Sequence, residues 1–557
     1  MRQAFRFGAL GAIALAVAAA CGAAQASDAW ASTHTMKHDV GNAVAGSAFA
    51  PGESVHVALA LHIRNQSDMD ALTSALTSGK TTRHLTSPEF MAHYAPSQAQ
   101  VDAVVAHLRN AGFTNIEVAP NRLLVSADGT AAAVQAGFNT GLRHYVVDGH
   151  DRYANTEDAQ VPAHLAGLVT AVLGLQNVHS SHTMNRPLYA GTVAAAQPLA
   201  KVGHAATDFS TIYDADSLNS ATRGVIGIIA QGDVSPAIAD LQTLADEAGF
   251  PTPVTRVVVA DHASSDTSNE IEWDIDSQSS LSAAGGQVKN VTFYVASTLD
   301  DAPLVAAYNA AVTDNTARAI NVSLGECELN AQQSGHEAAV DAIYQIAVAQ
   351  GQMFSVSSGD SGSFQCGSKF GGGSYPAVSP WAIAVGGTSL NTTGQTVWAS
   401  ETLWGCNGAL GCEFNGGEGG GPSKTEDAPQ WQLDAGVLPP GSTARGEPDV
   451  SFDADPATGL IVISGSSRPQ YGGTSLAAPI WAGFWTRIQS LHKNQLNFPG
   501  PGLYQASITP KGMKYLHDIT QGSNGGYSAA TGWDQASGFG SIDIAKFAQY
   551  IRKNGGF

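Results

Sequence analysis

Near the C-terminal end a serine follows two glycines and a threonine, in Tyr471-Gly472-Gly473-Thr474-Ser475-Leu476-Ala477-Ala478-Pro479. Behind it, Leu476 to Trp485 is an apolar run that reads as a helix. Glycines let the backbone turn sharply and approach a substrate closely. A helix N-terminus offers free N–H groups and a positive dipole end to a developing oxyanion. Ser475 is therefore set up as a nucleophile, and the question is what removes its proton. One acidic stretch could do so: Asn269-Glu270-Ile271-Glu272-Trp273-Asp274-Ile275-Asp276. On a helix Glu270 and Asp274 stand at i and i+4 and share a face. Two carboxylates there repel unless one carries a proton. A shared proton would let Glu270 accept hydrogen from Ser475 while Asp274 holds it in place. Taken alone, such a run reads more simply as a solvated acidic face. The apolar Ile271, Trp273 and Ile275 between the acids argue against that.

A second acidic group lies in Ser357-Ser358-Gly359-Asp360-Ser361-Gly362-Ser363, after the apolar run Met353–Val356. Its Gly-Asp-Ser-Gly looks like a chymotrypsin-type nucleophile, but the matching histidine motif is missing. Its Asp-Ser-Gly looks like an aspartic-protease motif, which would have to occur twice. The alternatives are an Asx-turn and a protonated Asp360 that donates a hydrogen bond to an oxyanion. A third pair of segments, His517-Asp518-Ile519-Thr520 and Thr531-Gly532-Trp533-Asp534, joins two carboxylates through a loop rich in Gly and Asn. Carboxylates with backbone carbonyls suit a hard cation such as Ca²⁺. A plain surface loop explains the same residues equally well.

The elements that must position these groups follow from composition and pattern. The chain has 557 residues, long enough for two or three domains. Only 13% of them are charged and 61 of the 557, about 11%, are glycine, against about 25% and about 7% in ordinary soluble domains. The formal net charge of −20 argues against nucleic acid as a partner, because phosphate binding needs a basic patch. It also fits a protein meant for acid, where carboxylates protonate. Residues 1–26 read as a signal peptide, with Arg2 and Arg6, the apolar Gly8–Ala20 and the cleavage site Ala24-Gln25-Ala26. The apolar run is shorter than the ~20 residues that span a bilayer, so a secreted protein free of the membrane is expected. Cys21 admits a lipidated alternative, against which stand Ala18-Ala19-Ala20 in front of it. Removal of the signal leaves Cys327, Cys366, Cys406 and Cys412, two disulfides with three possible connectivities. A local Cys406–Cys412 staple with Cys327–Cys366 is the first choice.

Residues 27–190 read as a small α+β unit. It holds a strand-like Val55–Ile63, a helix opened by the capping box Ser97-x-x-Gln100 and closed at Gly112, strand-like pieces at Ile116–Ala119, Leu123–Ser126 and Arg143–Val147, and a helix-like Ala131–Phe138. Residues 191–205, with Ala194-Ala195-Ala196-Gln197-Pro198, read as an exposed linker open to processing. In 206–557 continuous apolar runs at Val225–Ala230, Val288–Val295, Ala319–Leu324, Met353–Val356, Ala382–Val385 and Leu460–Ser464 alternate with helical stretches such as Ala302–Ala311 and Glu337–Ala349. That alternation predicts an α/β domain built on a parallel sheet.

Taken together, the motifs resemble the sedolisin, or serine-carboxyl, peptidase family, including its kumamolisin-like members. Gly473 to Pro479 is similar to the Gly-Thr-Ser-x-Ala-Ala-Pro nucleophile motif shared with subtilisin-like enzymes. None of the 17 histidines is followed by the Gly-Thr that marks the subtilisin base. Glu270 and Asp274 match the family's Glu-x-x-x-Asp, and Ser358 to Gly362 its Ser-Gly-Asp-Ser-Gly. The run Arg445-Gly446-Glu447-Pro448-Asp449-Val450-Ser451 with Asp455-Pro456 looks like the segment leading to the serine. His84-Leu85-Thr86-Ser87-Pro88-Glu89-Phe90 and Tyr94-Ala95-Pro96-Ser97 look like the activation domain.

The resemblance implies a subtilisin-like parallel sheet flanked by helices, preceded by the α+β activation domain. It implies an acid-acting endopeptidase for polypeptide substrates, made as a zymogen whose own prodomain acts as intramolecular inhibitor and chaperone, and working as a monomer. It assigns Ser475 as nucleophile, Glu270 as base, Asp274 as its partner and Asp360 as the oxyanion group. One structural Ca²⁺ would be held by Asp518, Asp534 and the carbonyls of Ile519, Ala530 and Gly532. Trp273 stands where the family often has Leu before the aspartate, Leu324 where some members have Trp, and Ala530 where Gly is common. Two rivals remain: a Ser-His-Asp protease using His262 or His336, and a calcium-dependent binding protein on a dead protease scaffold.

Overall fold

The computed structural model describes residues 29–188, 203–367, 371–405 and 416–554. Cys21, Cys406 and Cys412, the signal segment and most of the expected linker lie outside these residues.

The N-terminal unit is built on a four-stranded antiparallel sheet. Its strands are β1 (Ser54–Leu61), β2 (Thr114–Val118), β3 (Leu124–Thr130) and β4 (Val169–Leu173), in the order β2-β3-β1-β4. Two helices pack on it, α1 (Gln98–Ala111) and α2 (Ala131–Phe138). The capping box expected at Ser97 and Gln100 is formed, and Gly112 closes α1 with φ +98. Val101, Val104 and Leu108 carry the buried stripe of α1, beneath which the outward residues of β1 (Val55, Val57, Leu59, Leu61) complete a separate core.

The opposite face of β1 is not solvated. Ala58 and Ala60 belong to the main core, together with Met69, Leu76, Leu85 and Phe90. This face docks on two helices of the larger unit, α5 and α6 below. Polar contacts seal the dock: Asn121 Nδ2 to Asn309 Oδ1 at 2.5 Å, Gln345 Nε2 to Asp70 Oδ1 at 2.8 Å, and the Leu85 N–H to the Ala349 carbonyl at 2.8 Å. Inside the segment singled out in the sequence, Thr86 and Glu89 form a capping box that starts the helix Ser87–His93, whose Phe90 fills the interface.

The larger unit contains an eight-stranded sheet. In chain order its elements are β5 (Val225–Gln231), α3 (Ser235–Ala248), β6 (Thr255–Val259), α4 (Glu270–Ala283), β7 (Asn290–Ala296), α5 (Asp301–Asp314), β8 (Ala319–Val322), α6 (His336–Ala349), β9 (Met353–Ser357), β10 (Ile383–Thr393), β11 (Val397–Leu403), β12 (Val450–Asp453) and α7 (Thr474–Leu491). The order across the sheet is β6-β7-β5-β8-β9-β10-β11, with β12 beside β10. All pairings are parallel except β10 with β11. β5, β8 and β9 are buried at every position, as strands covered on both faces must be.

Two expectations change. Leu460–Ile461 is not a strand of this sheet but pairs antiparallel with Gln470–Gly472. Leu324 is not the end of β8. It starts a separate strand, Leu324–Cys327, that runs antiparallel to Ser374–Tyr375. Cys327 and Cys366 form the expected disulfide, with Cα atoms 4.7 Å apart. No helix among the described residues is long and apolar enough to cross a membrane.

Candidate active site

α7 is buried from Thr474 to Ser490, which makes it the central helix of the larger unit. Gly473 precedes it with φ +101, where a Cβ would meet the Met184 carbonyl oxygen at 2.1 Å. Only glycine lets the chain turn there while another backbone lies against it. Pro479 sits inside α7. It has no N–H to give the carbonyl four residues back, that of Ser475. The Ser323 hydroxyl lies 3.4 Å from that carbonyl oxygen, and Ser475 Oγ in turn lies 3.4 Å from the Ser323 carbonyl oxygen.

α4 crosses α7 closely. A Cβ on Gly483 would meet the Ser280 carbonyl at 2.3 Å, so the glycine allows the two helices to touch. This contact decides which acids face the serine. Glu272 and Asp276 point into the site and are fully buried. The Ser475 hydroxyl lies against Glu272 and favours its charged form, although burial outweighs this and raises the pKa of Glu272. Asn185 Nδ2 donates to Glu272 Oε2 at 2.7 Å. Asp276 Oδ1 pairs with Ser323 Oγ at 2.5 Å, and Asn321 Nδ2 donates to the same hydroxyl at 3.0 Å. Burial, then the charge of Glu272, pushes the Asp276 carboxyl well above the usual range.

The acids read from the sequence lie on the other side of the helix. Glu270 and Asp274 gather with Asp240 of α3, and burial, then the charges of Asp240 and Glu270, pushes the Asp274 carboxyl up to about 8. The frame Glu270/Asp274 is thus corrected by two residues to Glu272/Asp276. Both frames have the Glu-x-x-x-Asp spacing. In the second, the residue before the aspartate is the aliphatic Ile275, so the departure noted at Trp273 disappears.

Asp360 occupies the loop after β9. Its Oδ1 accepts from the Thr474 N–H at 2.8 Å and the Thr474 hydroxyl at 2.9 Å. Its Oδ2 is buried, with Arg186 Nε 3.4 Å away. Burial raises its pKa to about 6, against the pull of Arg186 and the two Thr474 hydrogen bonds. Asp360 and the Ser475 N–H therefore meet at the N-terminus of α7, where an oxyanion would be stabilised. The histidines considered as bases are elsewhere. His336 is buried with its Nδ1 2.7 Å from Glu326, and His262 is largely exposed beside Asp261.

The run Arg445 to Ser451 is structural: Arg445 and Asp449 form a fully buried ion pair at 2.7 Å, and Asp449 also takes the Tyr504 hydroxyl at 2.6 Å. In the C-terminal loop, Asp518 accepts the Gly532 N–H at 3.1 Å, and Asp534 accepts the N–H groups of Ala530, Ala536 and Ser537, each at 2.8 Å. Ser537 Oγ approaches the Ile519 carbonyl at 3.5 Å. The loop thus brings Asp518, Ile519, Ala530, Gly532 and Asp534 together. Burial pushes both carboxyls upward, and among the described residues no cationic side chain lies within ion-pair distance of either.

Residues 42–178 match the model of the pro-kumamolisin activation domain, and 283–540 match that of the subtilase family. The chain is 43% identical to sedolisin of Pseudomonas sp. (strain 101), over 98% of this chain and 96% of that one. It is 40% identical to xanthomonalisin of Xanthomonas sp. (strain T-22), over 97% and 74%. It is also 31% identical to kumamolisin of Bacillus sp. (strain MN-32), over 74% and 76%. A solved structure of Pseudomonas sedolisin, a serine-carboxyl proteinase bound to two molecules of pseudo-iodotyrostatin, superposes with a TM-score of 0.60 at 42% identity. It covers 64% of this chain and 99% of that one. With 40–43% identity over nearly its whole length to two such enzymes and an activation domain in front, this chain belongs to the sedolisin family of serine-carboxyl peptidases.

Proposed function

We propose that the protein is a secreted, acid-acting endopeptidase, made as a zymogen that processes itself, with Ser475 as nucleophile and Glu272/Asp276 as the base pair. The observation that carries this reading is the buried Glu272 against the Ser475 hydroxyl, where a histidine would otherwise be needed. Glu272 takes the Ser475 proton, and Asp276, tied to Ser323, shares and orients it. Ser475 Oγ attacks the peptide carbonyl. The Ser475 N–H and protonated Asp360 donate to the oxyanion. Glu272 then returns the proton to the leaving amine, and water repeats the cycle on the acyl-enzyme. Asp360 can donate only while protonated, so activity falls as pH rises through its pKa. Acid incubation of the purified precursor tests the reading. The wild type should lose its prodomain and Ser475→Ala should not; full activity at neutral pH would refute acid action.

The C-terminal loop suits one structural Ca²⁺. Asp518 and Asp534 supply charge, and the carbonyls of Ile519, Ala530 and Gly532 supply neutral oxygen, a donor set for a hard cation. The ion would tie the segment at 518–519 to that at 530–534. Export rests on residues 1–26.

A further inference from the structure

The end of the N-terminal unit does not leave as a free linker. His182–Thr183 pairs antiparallel with Leu324–Gly325, and Arg186–Pro187 pairs antiparallel with Tyr471–Gly472. Between these pairs the Met184 N–H donates to the Ser323 carbonyl at 3.2 Å, and the Ser475 N–H donates to the Met184 carbonyl at 3.1 Å. Beyond them the Leu188 N–H donates to the Gln470 carbonyl at 3.0 Å. An extended segment that adds itself to strands on both sides of a nucleophile is bound as a substrate is bound. Its register is set by the one carbonyl that sits on the oxyanion donor.

We infer that the Met184–Asn185 peptide bond is the first bond the precursor cuts in itself, upstream of the 191–205 segment that sequence composition favours. The inference rests on the catalytic reading above. Ser475 Oγ would form a bond to the Met184 carbonyl carbon while its proton passes to Glu272. The C–N bond to Asn185 then breaks, and Glu272 protonates the new amine. Water releases Met184 as a carboxylate and frees Ser475. The Asn185 side chain already donates to Glu272, beside the nitrogen that must be protonated.

The Met184 side chain also defines the pocket that accepts it. It is 1% exposed, and its terminal methyl would lie 2.7 Å from a Cβ placed on Gly325. That same Cβ would meet Ser374 Oγ at 2.2 Å. A linear apolar side chain fits this pocket, and a shorter, charged one would leave part of it unfilled and bury its charge.

The test is acidification of the full precursor, with the earliest fragments identified by N-terminal sequencing and intact mass. The expected first fragment begins at Asn185, with a partner ending at Met184. Met184→Asp should slow that cut by about tenfold or more, and Met184→Leu should not. Both variants are checked for folding by thermal unfolding of their Ser475→Ala forms. A peptide spanning Ser181–Leu188 should be cut by the mature enzyme at the same bond. An earliest cut elsewhere, with unrelated protein still digested, would overturn this bond and leave the catalytic reading standing. No cut in the precursor and no digestion of any substrate would overturn the catalytic reading itself.

Discussion

Replacing Glu272 by Gln removes the base and little else. Gln has nearly the same shape, its carbonyl oxygen can still accept the Asn185 amide now held at 2.7 Å, and a buried acid becomes neutral without a new cavity. General-base catalysis is worth about 10²–10⁴ in rate, or about 3–5.5 kcal/mol. The precursor with Glu272→Gln should therefore convert about 10²–10⁴ times more slowly than wild type. Glu270→Gln changes a partly exposed acid about 200° away around the same helix, and should alter the rate by no more than about threefold, as a change to a remote charge does. The assay follows loss of the full-length band after acidification, with Ser475→Ala as the floor and unfolding temperature as a control for structure. If Glu270→Gln falls to the floor while Glu272→Gln stays within tenfold of wild type, the assignment by helix face is wrong.

Other consequences concern charge and the C-terminal loop. Arg186 lies 3.4 Å from Asp360 and lowers its pKa, while burial holds that value at about 6. Arg186→Gln should move the alkaline limb of self-processing upward by about one pH unit, and a pH–rate profile that does not move would count against Asp360 as a donor. Burial raises Asp274 to about 8 and Glu337 to about 7, far above the ~4 of an unfolded chain. The folded state then binds more protons than the unfolded one between those values. The stability these two groups contribute is therefore full below about pH 4 and is lost as pH rises through about 7 to 8. Melting of the Ser475→Ala precursor should show a higher Tm in mild acid than at neutral pH, and the reverse order would refute it. Chelation of Ca²⁺ should lower Tm by roughly 2–4 °C, and an Asp518→Asn, Asp534→Asn double variant should lose that response. A chelator that leaves the wild type unchanged would exclude the ion.

Much of the architecture was legible before folding. A run such as Val225–Ala230 carries no polar residue on either alternating face, so it had to be covered on both sides, and a parallel sheet does that. The helix after Ser97 announced its own start and stop through Gln100 and Gly112. Leu460–Ser464 misled because a short apolar run does not reveal its partner: it turned out to face a local hairpin strand instead of the main sheet.

Ser475 and Asp360 were readable because glycine-rich turns and a helix start are local features, encoded within a few residues. The acid pair was not. Glu270/Asp274 and Glu272/Asp276 have the same spacing and the same helix, so no property of the segment alone separates them. The choice was made by the packing of α4 on α7, where Gly483 admits Ser280 and turns one face of α4 toward Ser475. The scissile bond was equally hidden, because a peptide bond becomes a substrate only when its carbonyl reaches an oxyanion donor 291 residues away in the chain. Sequence by itself pointed to Ser475 as the proposed nucleophile and to the class of fold, and through the family resemblance to Asp360 as its proposed oxyanion partner. Tertiary structure decided which carboxyls serve that nucleophile and which segment lies across it, since helix rotation and strand register are set by contacts distant in the chain.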